Sequence, residues 1–320
     1  MSNYNSNRGS IKGGNGLKAK IGIFLLLGAG LLWLFNTFTG QNLSLEDAIE
    51  NVTKPSQKHP NNNQGPKGPG EPVDVSEVDD AVLPTTNLGK VVKHSYYALS
   101  YVEEHEQPEW VAYELTRQNL YPNAKRKDNF RVDPRVPKGS ASKRDYRGSG
   151  YDRGHLVPAG DMKFSARAMS ETFYLSNMSP QVRNFNGGIW RELEESTRYW
   201  AKKAGRLYVV TGPVLTGEIR EKIGGNGVSV PDQYYKVLLD LDEPEIKAIG
   251  FLIPNEVSVD PLKAYAIPID EIEELTGLDF FSNIINDPKL EAKLESGYNI
   301  RQWSFSKRTY NQRVQKWNKR

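Results

Sequence analysis

From Asn51 to Pro72 the chain reads NVTKPSQKHPNNNQGPKGPGEP, rich in Pro, Gly, Asn and Gln with almost nothing apolar to bury. Such a stretch cannot offset the entropy lost on ordering, so it reads as a disordered tether, with His59 inside it solvated. Any core must therefore come from the residues after about Leu83, where the composition turns apolar and aromatic. The chain of 320 residues is 38% hydrophobic and 25% charged, enough for one good-sized core with appendages.

Ahead of the tether lies IGIFLLLGAGLLWLFNTF, Ile21 to Phe38. As a helix it spans roughly 27 Å, about the thickness of bilayer hydrocarbon. Arg8, Lys12, Lys18 and Lys20 precede it without an acid, and the first acid, Glu46, follows it. That asymmetry puts the N-terminus in the cytoplasm and the rest across the membrane. A cleaved signal peptide is the competing reading, but the run is long for one and FNTFTGQN offers no clean small-x-small site. The expected order is a basic cytoplasmic segment (1–20), a transmembrane anchor (21–38), a flexible linker (39–82), a globular domain (83–290) and a basic aromatic tail (291–320).

Within the body, His94 to Tyr101, Trp110 to Leu115, Leu207 to Val210, Tyr234 to Leu239 and Ile246 to Ile253 read as strands. Ile189 to Ala204 carries a helical apolar stripe that stops at Gly205, and Asp270 to Leu275 reads as a short helix capped by Asp270. Strands and helices mix without βαβ alternation, which predicts an α+β fold with a mainly antiparallel sheet.

The densest chemistry lies in RGSGYDRGHLVPAGDM, residues 147 to 162. His155 titrates near neutral pH and suits a general base, and Asp152, three residues earlier, is placed either to orient it or to act as a cap that orients the loop. Arg153 offers a planar fork of donors for phosphate oxygens, and Gly154 removes a side chain beside the base. The glycine spacing is not that of a dinucleotide loop. TFYLSNMSPQ, Thr172 to Gln181, then reads as a strand carrying Asn177, and NFNGGIWRELEES as a helix opening near Asn186 and carrying Glu194. Eight helical residues separate Asn186 and Glu194 by roughly 12 Å, too far for both to touch one ion directly. Asn186 on a hydrated magnesium, with Glu194 holding ion-bound water, is the consistent arrangement. The two strands and the helix form a ββα unit around that metal. The chain contains no cysteine, which excludes thiolate zinc sites, Cys nucleophiles and disulfides.

The DRGH run, the SNMSPQ segment and the N-x-x-x-W-x-x-L-E segment together resemble the DNA/RNA non-specific endonucleases of the ββα-metal superfamily. These include mitochondrial endonuclease G and the secreted bacterial sugar-non-specific nucleases. The similarity runs from about His94 to about Phe281. It implies that His155 activates water, Arg153 contacts phosphate, Asn186 ligates magnesium (manganese being a substitute) and Glu194 supports the metal's water shell. It sets Asn177 near the metal. A further family arginine, in an R-x-D-x-F stretch, matches Arg126 in RKDNF, with Arg131 as its rival. Val157 stands where family members often carry Ala, a departure without chemical consequence. The implied reaction is hydrolysis of DNA and RNA without regard to sequence or sugar, leaving 5′-phosphates. Many members are homodimers, which leaves a homodimer open here.

Other features carry weaker expectations. The formal charge of +3 includes seven bases and no acid in residues 301–320, so the rest of the chain is net acidic. Any polyanion must therefore be held by local patches. In that tail Trp303 and Arg308 are candidate nucleic-acid contacts, cations and flat rings being what single strands bind; packing of the aromatics on the domain is the equal alternative. Lys236 is a further candidate phosphate contact. Gly224 to Gly227 reads as a turn, and His94 and His105 as structural or surface residues. A membrane-tethered nucleic-acid receptor or uptake component, and a phosphodiesterase acting on nucleotides, are the alternative functions. The anchor places the domain in the periplasm or outside the cell, with the mitochondrial inner membrane as the alternative by family analogy.

Overall fold

The structure is a computed structural model, and it describes residues 78–85, 88–242 and 244–319. The expected cytoplasmic segment, the membrane anchor and nearly all of the linker lie outside those residues. Among the described residues no helix is long and apolar enough to cross a membrane.

Among the described residues, eleven strands and six α-helices follow in chain order: β1 (Lys90–Lys93), β2 (Ala98–Val102), β3 (Gln107–Thr116), α1 (Lys143–Tyr146), β4 (Asp152–His155), α2 (Ala166–Glu171), β5 (Met178–Gln181), α3 (Arg191–Ala204), β6 (Arg206–Pro213), β7 (Lys222–Ile223), β8 (Val228–Ser229), β9 (Gln233–Asp240), β10 (Lys247–Pro254), β11 (Ala266–Ile267), α4 (Ile269–Thr276), α5 (Pro288–Glu295) and α6 (Lys307–Gln315). One seven-stranded sheet has the order β1-β2-β3-β6-β9-β10-β11. Its pairings are antiparallel throughout, so the expected α+β class with an antiparallel sheet holds.

Both faces of this sheet are buried, which is why its central strands are apolar nearly throughout. In β3, Val111, Tyr113 and Leu115 face one core with Leu193 and Trp200 of α3. Trp110 and Ala112 face the other, with Ile269 and Ile272 of α4 and Leu294 of α5. The same alternation in β9 sends Tyr234 and Leu238 to the α3 side and Tyr235, Val237 and Leu239 to the α4 side. Lys236 falls by that period on the α3 side and is fully buried.

Several expected elements differ in their limits. His94 to Tyr97 is a turn, closed by the His94 N–H donating to the Tyr97 carbonyl at 2.8 Å, and the strand begins at Ala98. Only Met178–Gln181 of the TFYLSNMSPQ segment is a strand. Asp270 is not a cap: Pro268 precedes the first residue of α4, and Asp270 sits in the first turn, where a negative charge complements the helix dipole. Regular α-helix starts at Arg191, because Phe185–Trp190 is a π-helical turn with Gly188 far from helical geometry (φ −108°, ψ −109°). At the other end α3 stops where its apolar stripe does, on Gly205 with φ +106°.

The C-terminal tail folds onto the body. Trp303 and Trp317 are buried, and Trp200 Nε1 donates to the Ser304 carbonyl at 2.9 Å. Arg313 is fully buried, with Nε donating to Glu192 at 2.5 Å and its other nitrogens to the Ser258 and Asp260 carbonyls. Packing, rather than base stacking, thus accounts for the tail's tryptophans.

Candidate active site

β4 and β5 form a separate two-stranded sheet, with Arg153 opposite Pro180 and His155 opposite Met178. Alternate residues of a strand share a face, so Arg153 and His155 project together and Asp152 and Gly154 project the other way. Gly154 is opposite Ser179, and a Cβ there would lie 2.1 Å from the Gln181 side chain. The glycine is therefore demanded by hairpin packing, a different reason from the substrate approach expected of it.

A cavity of about 700 Å³ opens beside this hairpin. Arg126, Arg153, His155, Asn186 and Glu194 all line it, with Lys163, Arg191 and Arg198 adding positive charge. The structure thus brings together these five expected residues, although they come from three separate stretches of chain.

His155 is half-buried, its ring edge-to-face with Phe173 at 5.0 Å and tilted against Phe130 at 5.7 Å. Its Nε2 is buried without a hydrogen-bond partner, which leaves Nδ1 as the nitrogen available to the cavity. Burial pulls its pKa down to about 3, helped by the Arg126 and Arg153 guanidiniums and opposed by Asp128. The imidazole is therefore neutral throughout the physiological range and able to accept a proton. Arg153 lies over the Phe130 ring, 4.2 Å from Cζ to centroid, which turns its guanidinium along the cavity wall.

Asp152 does not touch His155. Its carboxylate accepts from Asn186 Nδ2 at 3.1 Å and pairs with Arg183 at 3.6 Å. With its nitrogen so held, the Asn186 amide has its carbonyl oxygen as the free end. That is the way a hydrogen bond to one end of a ligand group fixes the other. A carboxamide oxygen and the Glu194 carboxylate in one cavity are hard donors of the kind magnesium accepts while keeping several waters, so the residues fit the ion.

Glu194 rests on a charged layer. Burial raises its pKa and Asp161 adds to the rise, while Arg198 and Lys236 act against them. Asp161 itself accepts from Arg198 Nη1 at 2.8 Å and from the Tyr113 hydroxyl at 2.8 Å. Lys236 is therefore no surface phosphate contact. Its Nζ is buried without a hydrogen-bond partner, 5.1 Å from the Trp190 ring centre, and burial pulls its pKa down against Glu194 and Asp161. Asp161 lies within the RGSGYDRGHLVPAGDM run and Arg198 one turn beyond Glu194, but only their pairing in space gives them a role.

Three other expected contacts lie elsewhere. Asn177 is fully buried, its Oδ1 accepting from the Val157 N–H at 2.9 Å and its Nδ2 donating to the Val157 and Thr172 carbonyls at 3.0 and 2.9 Å. It staples the hairpin to the preceding loop and has no group left for a metal. Arg131 stacks on Tyr174 at 3.8 Å and donates to the Ser170 carbonyl at 2.9 Å, outside the cavity that Arg126 lines. Trp303 is 2% exposed against Trp200, closed to any base. Arg308 is exposed on α6.

A hairpin bearing a neutral imidazole and an arginine, followed by a helix bearing oxygen donors, is the ββα layout built around one basic cavity. The chain belongs to the DNA/RNA non-specific endonuclease family, whose profile matches residues 74–287. It is 36% identical over 239 residues to "Nuclease EXOG, mitochondrial" of Xenopus laevis, covering 70% of this chain and 66% of that protein. "Endonuclease G, mitochondrial" of Homo sapiens is 35% identical over 213 residues, covering 62% of this chain and 71% of that one. The human EXOG protein is matched over 56% of its length, so the chain spans less than two thirds of its EXOG relatives. Among solved structures, a crystal structure of an EndoG/EndoGI complex aligns with a TM-score of 0.58 at 34% identity, covering 62% of this chain and 88% of that one.

Proposed function

We propose that the protein is a magnesium-dependent endonuclease that hydrolyses DNA and RNA without regard to sequence or sugar. The observation that carries this reading is the single cavity shared by His155, Arg153, Arg126, Asn186 and Glu194. His155 Nδ1 takes the proton from water as it attacks phosphorus, a role that needs the neutral ring. Arg153, with Arg126 beside it, donates to the phosphoryl oxygens and stabilises the added charge of the transition state. Asn186 would hold a magnesium ion through its amide oxygen, Asp152 keeps that amide turned, and Glu194 accepts from water on the ion. The bound ion supplies positive charge for the phosphoryl and leaving oxygens. Contacts of this kind read the backbone and carry no base information, which supports action on many sequences.

The test is cleavage of plasmid DNA and of RNA by the wild-type chain and by His155→Ala, with magnesium or EDTA. Cleavage that survives EDTA, or a His155→Ala variant as active as wild type, overturns the reading. Manganese is expected to replace magnesium.

The same reading places the catalytic domain outside the cytoplasm, held by residues 21–38. Protease accessibility of the domain in intact cells tests it, and protection would argue for the mitochondrial placement that the EXOG and endonuclease G names carry. Sedimentation of the purified protein decides whether it is a homodimer.

A further inference from the structure

On the sheet face opposite the catalytic cavity, five carboxylates converge where α4 meets α5. Side-chain oxygens of Asp270, Glu273 and Glu295 lie within 4.8 Å of one another, and so do those of Asp279, Glu291 and Glu295. Glu295 belongs to both groups. It is only 7% exposed, and its Oε1 is buried without a hydrogen-bond partner. It is also the last residue of α5, where the helix's free carbonyls already present partial negative charge.

The neighbouring charges make its position worse. Burial pushes the Glu295 carboxyl up to about 8, and the neighbouring Glu273, Glu291, Asp279 and Asp270 carboxylates push the same way. Glu273 is raised to about 7 by burial, relieved only by the Phe280 N–H, which donates to it at 2.8 Å. A buried carboxylate without a partner is costly, and protein interiors pair such groups with a base, a proton or a metal. Four other carboxylates gather about this one, two from α4, one from the loop after it and one from α5.

We propose that this junction binds a hard divalent cation, calcium by preference, with Glu295 as the central ligand and Asp270, Glu273, Asp279 and Glu291 around it. Calcium takes six to eight oxygens in loose geometry, whereas magnesium demands a tight octahedron and keeps its waters. Several carboxylates on two helices and a loop match the first description. The cation would clamp α4 to α5 and hold the end of the chain against the sheet. The family match ends at residue 287, so Glu291 and Glu295 lie beyond it and the site is separate from the shared catalytic apparatus. Asp270 and Asp279 are exposed, so the site opens to solvent and is expected to bind at about 10⁻⁴–10⁻³ M.

The test is thermal melting of the full-length protein, with magnesium in excess throughout so that the catalytic cavity is saturated, before and after adding millimolar calcium. Calcium is expected to raise the wild-type Tm by about 5 °C. The same rise is expected in Asn186→Ala, and none in Glu295→Gln, which keeps the side chain's shape but lacks the carboxylate that would bind the ion. If Glu295→Gln does not fold, the double variant Asp270→Asn/Glu291→Gln, altered at the rim, should lose at least half the rise. An unchanged wild-type Tm, or a full rise in either altered protein, overturns the proposal and makes Glu295 a neutral acid held by a proton.

Discussion

Glu194 and Glu295 are both acids pushed up by burial, yet they sit in opposite surroundings. Below Glu194 lie Arg198 and Lys236, which pull it back toward ionisation. Around Glu295 the carboxylates of Glu273, Glu291, Asp279 and Asp270 push it further up. The first is a carboxylate whose rise is partly opposed by fixed cations of the protein. The second has its rise deepened by its neighbours. Burial alone therefore does not define an active-site acid; the sign of what is packed behind it does.

The largest expected effect breaks the catalytic side of this contrast outright. His155→Ala should lower kcat by about 10³-fold with KM little changed, since the imidazole acts on water rather than on substrate binding. Steady-state kinetics on a defined oligonucleotide check the split; a loss confined to KM would mean that His155 only binds. Next comes the metal side. Asn186→Ala should raise the magnesium needed for half-maximal activity by about 10²-fold, and Asp152→Asn by less, because Asp152 only turns the amide. Metal titrations of the two variants give the order directly.

Asn177→Ala separates structure from chemistry. It removes three buried hydrogen bonds and should cost about 3 kcal/mol of stability, seen in urea melts, while the folded fraction keeps its kcat. A fall in kcat without a change in stability would return Asn177 to the catalytic machinery. Lys236→Met tests the layer beneath Glu194. Lys236 lowers the Glu194 pKa, so its removal should cut kcat/KM at neutral pH by about tenfold, with recovery as pH rises. A loss that is flat with pH would indicate packing alone.

The smallest effect is a pH dependence of stability that sets the two regions against each other. The folded His155 pKa, about 3, lies below the ordinary 6.5, so the unfolded chain takes up the proton first and stability falls as pH drops from about 6.5 toward 3. The folded Glu295 pKa, about 8, lies above the ordinary 4.5. The unfolded chain releases that proton first, and stability falls as pH rises from about 4.5 through 8. In EDTA, Tm should decline on both sides, and calcium should remove only the alkaline decline.

Much of this was written in local pattern. The apolar stripe of Ile189 to Ala204 and its stop at Gly205 were readable because a helix repeats its face every few residues. The alternation of β3 and β9 was partly hidden, because a sheet buried on both faces is apolar at nearly every position. Arg153 and His155 share a face because two residues along a strand must. The π-helical turn at Phe185–Trp190 was not readable, since Gly187 and Gly188 permit it without specifying it. Asn177 lay in a motif and looked like a ligand; only its three hydrogen bonds reveal a staple. The tail mixed rings with cations, a pattern that binds nucleic acid or packs equally well, and contacts such as Arg313 with Glu192 decide for packing.

The sequence by itself determined which groups the site can offer: an imidazole, a guanidinium and oxygen donors, carried in runs whose local spacing is set by backbone geometry. Only the tertiary structure decided which charges stand behind those residues. Asp161 and Lys236 meet Glu194 and Arg198 from other parts of the chain, and Asp270, Glu273 and Asp279 meet Glu291 and Glu295 in the same way. Their interactions depend on through-space distance and on the loss of water, and neither is encoded in any local run of residues.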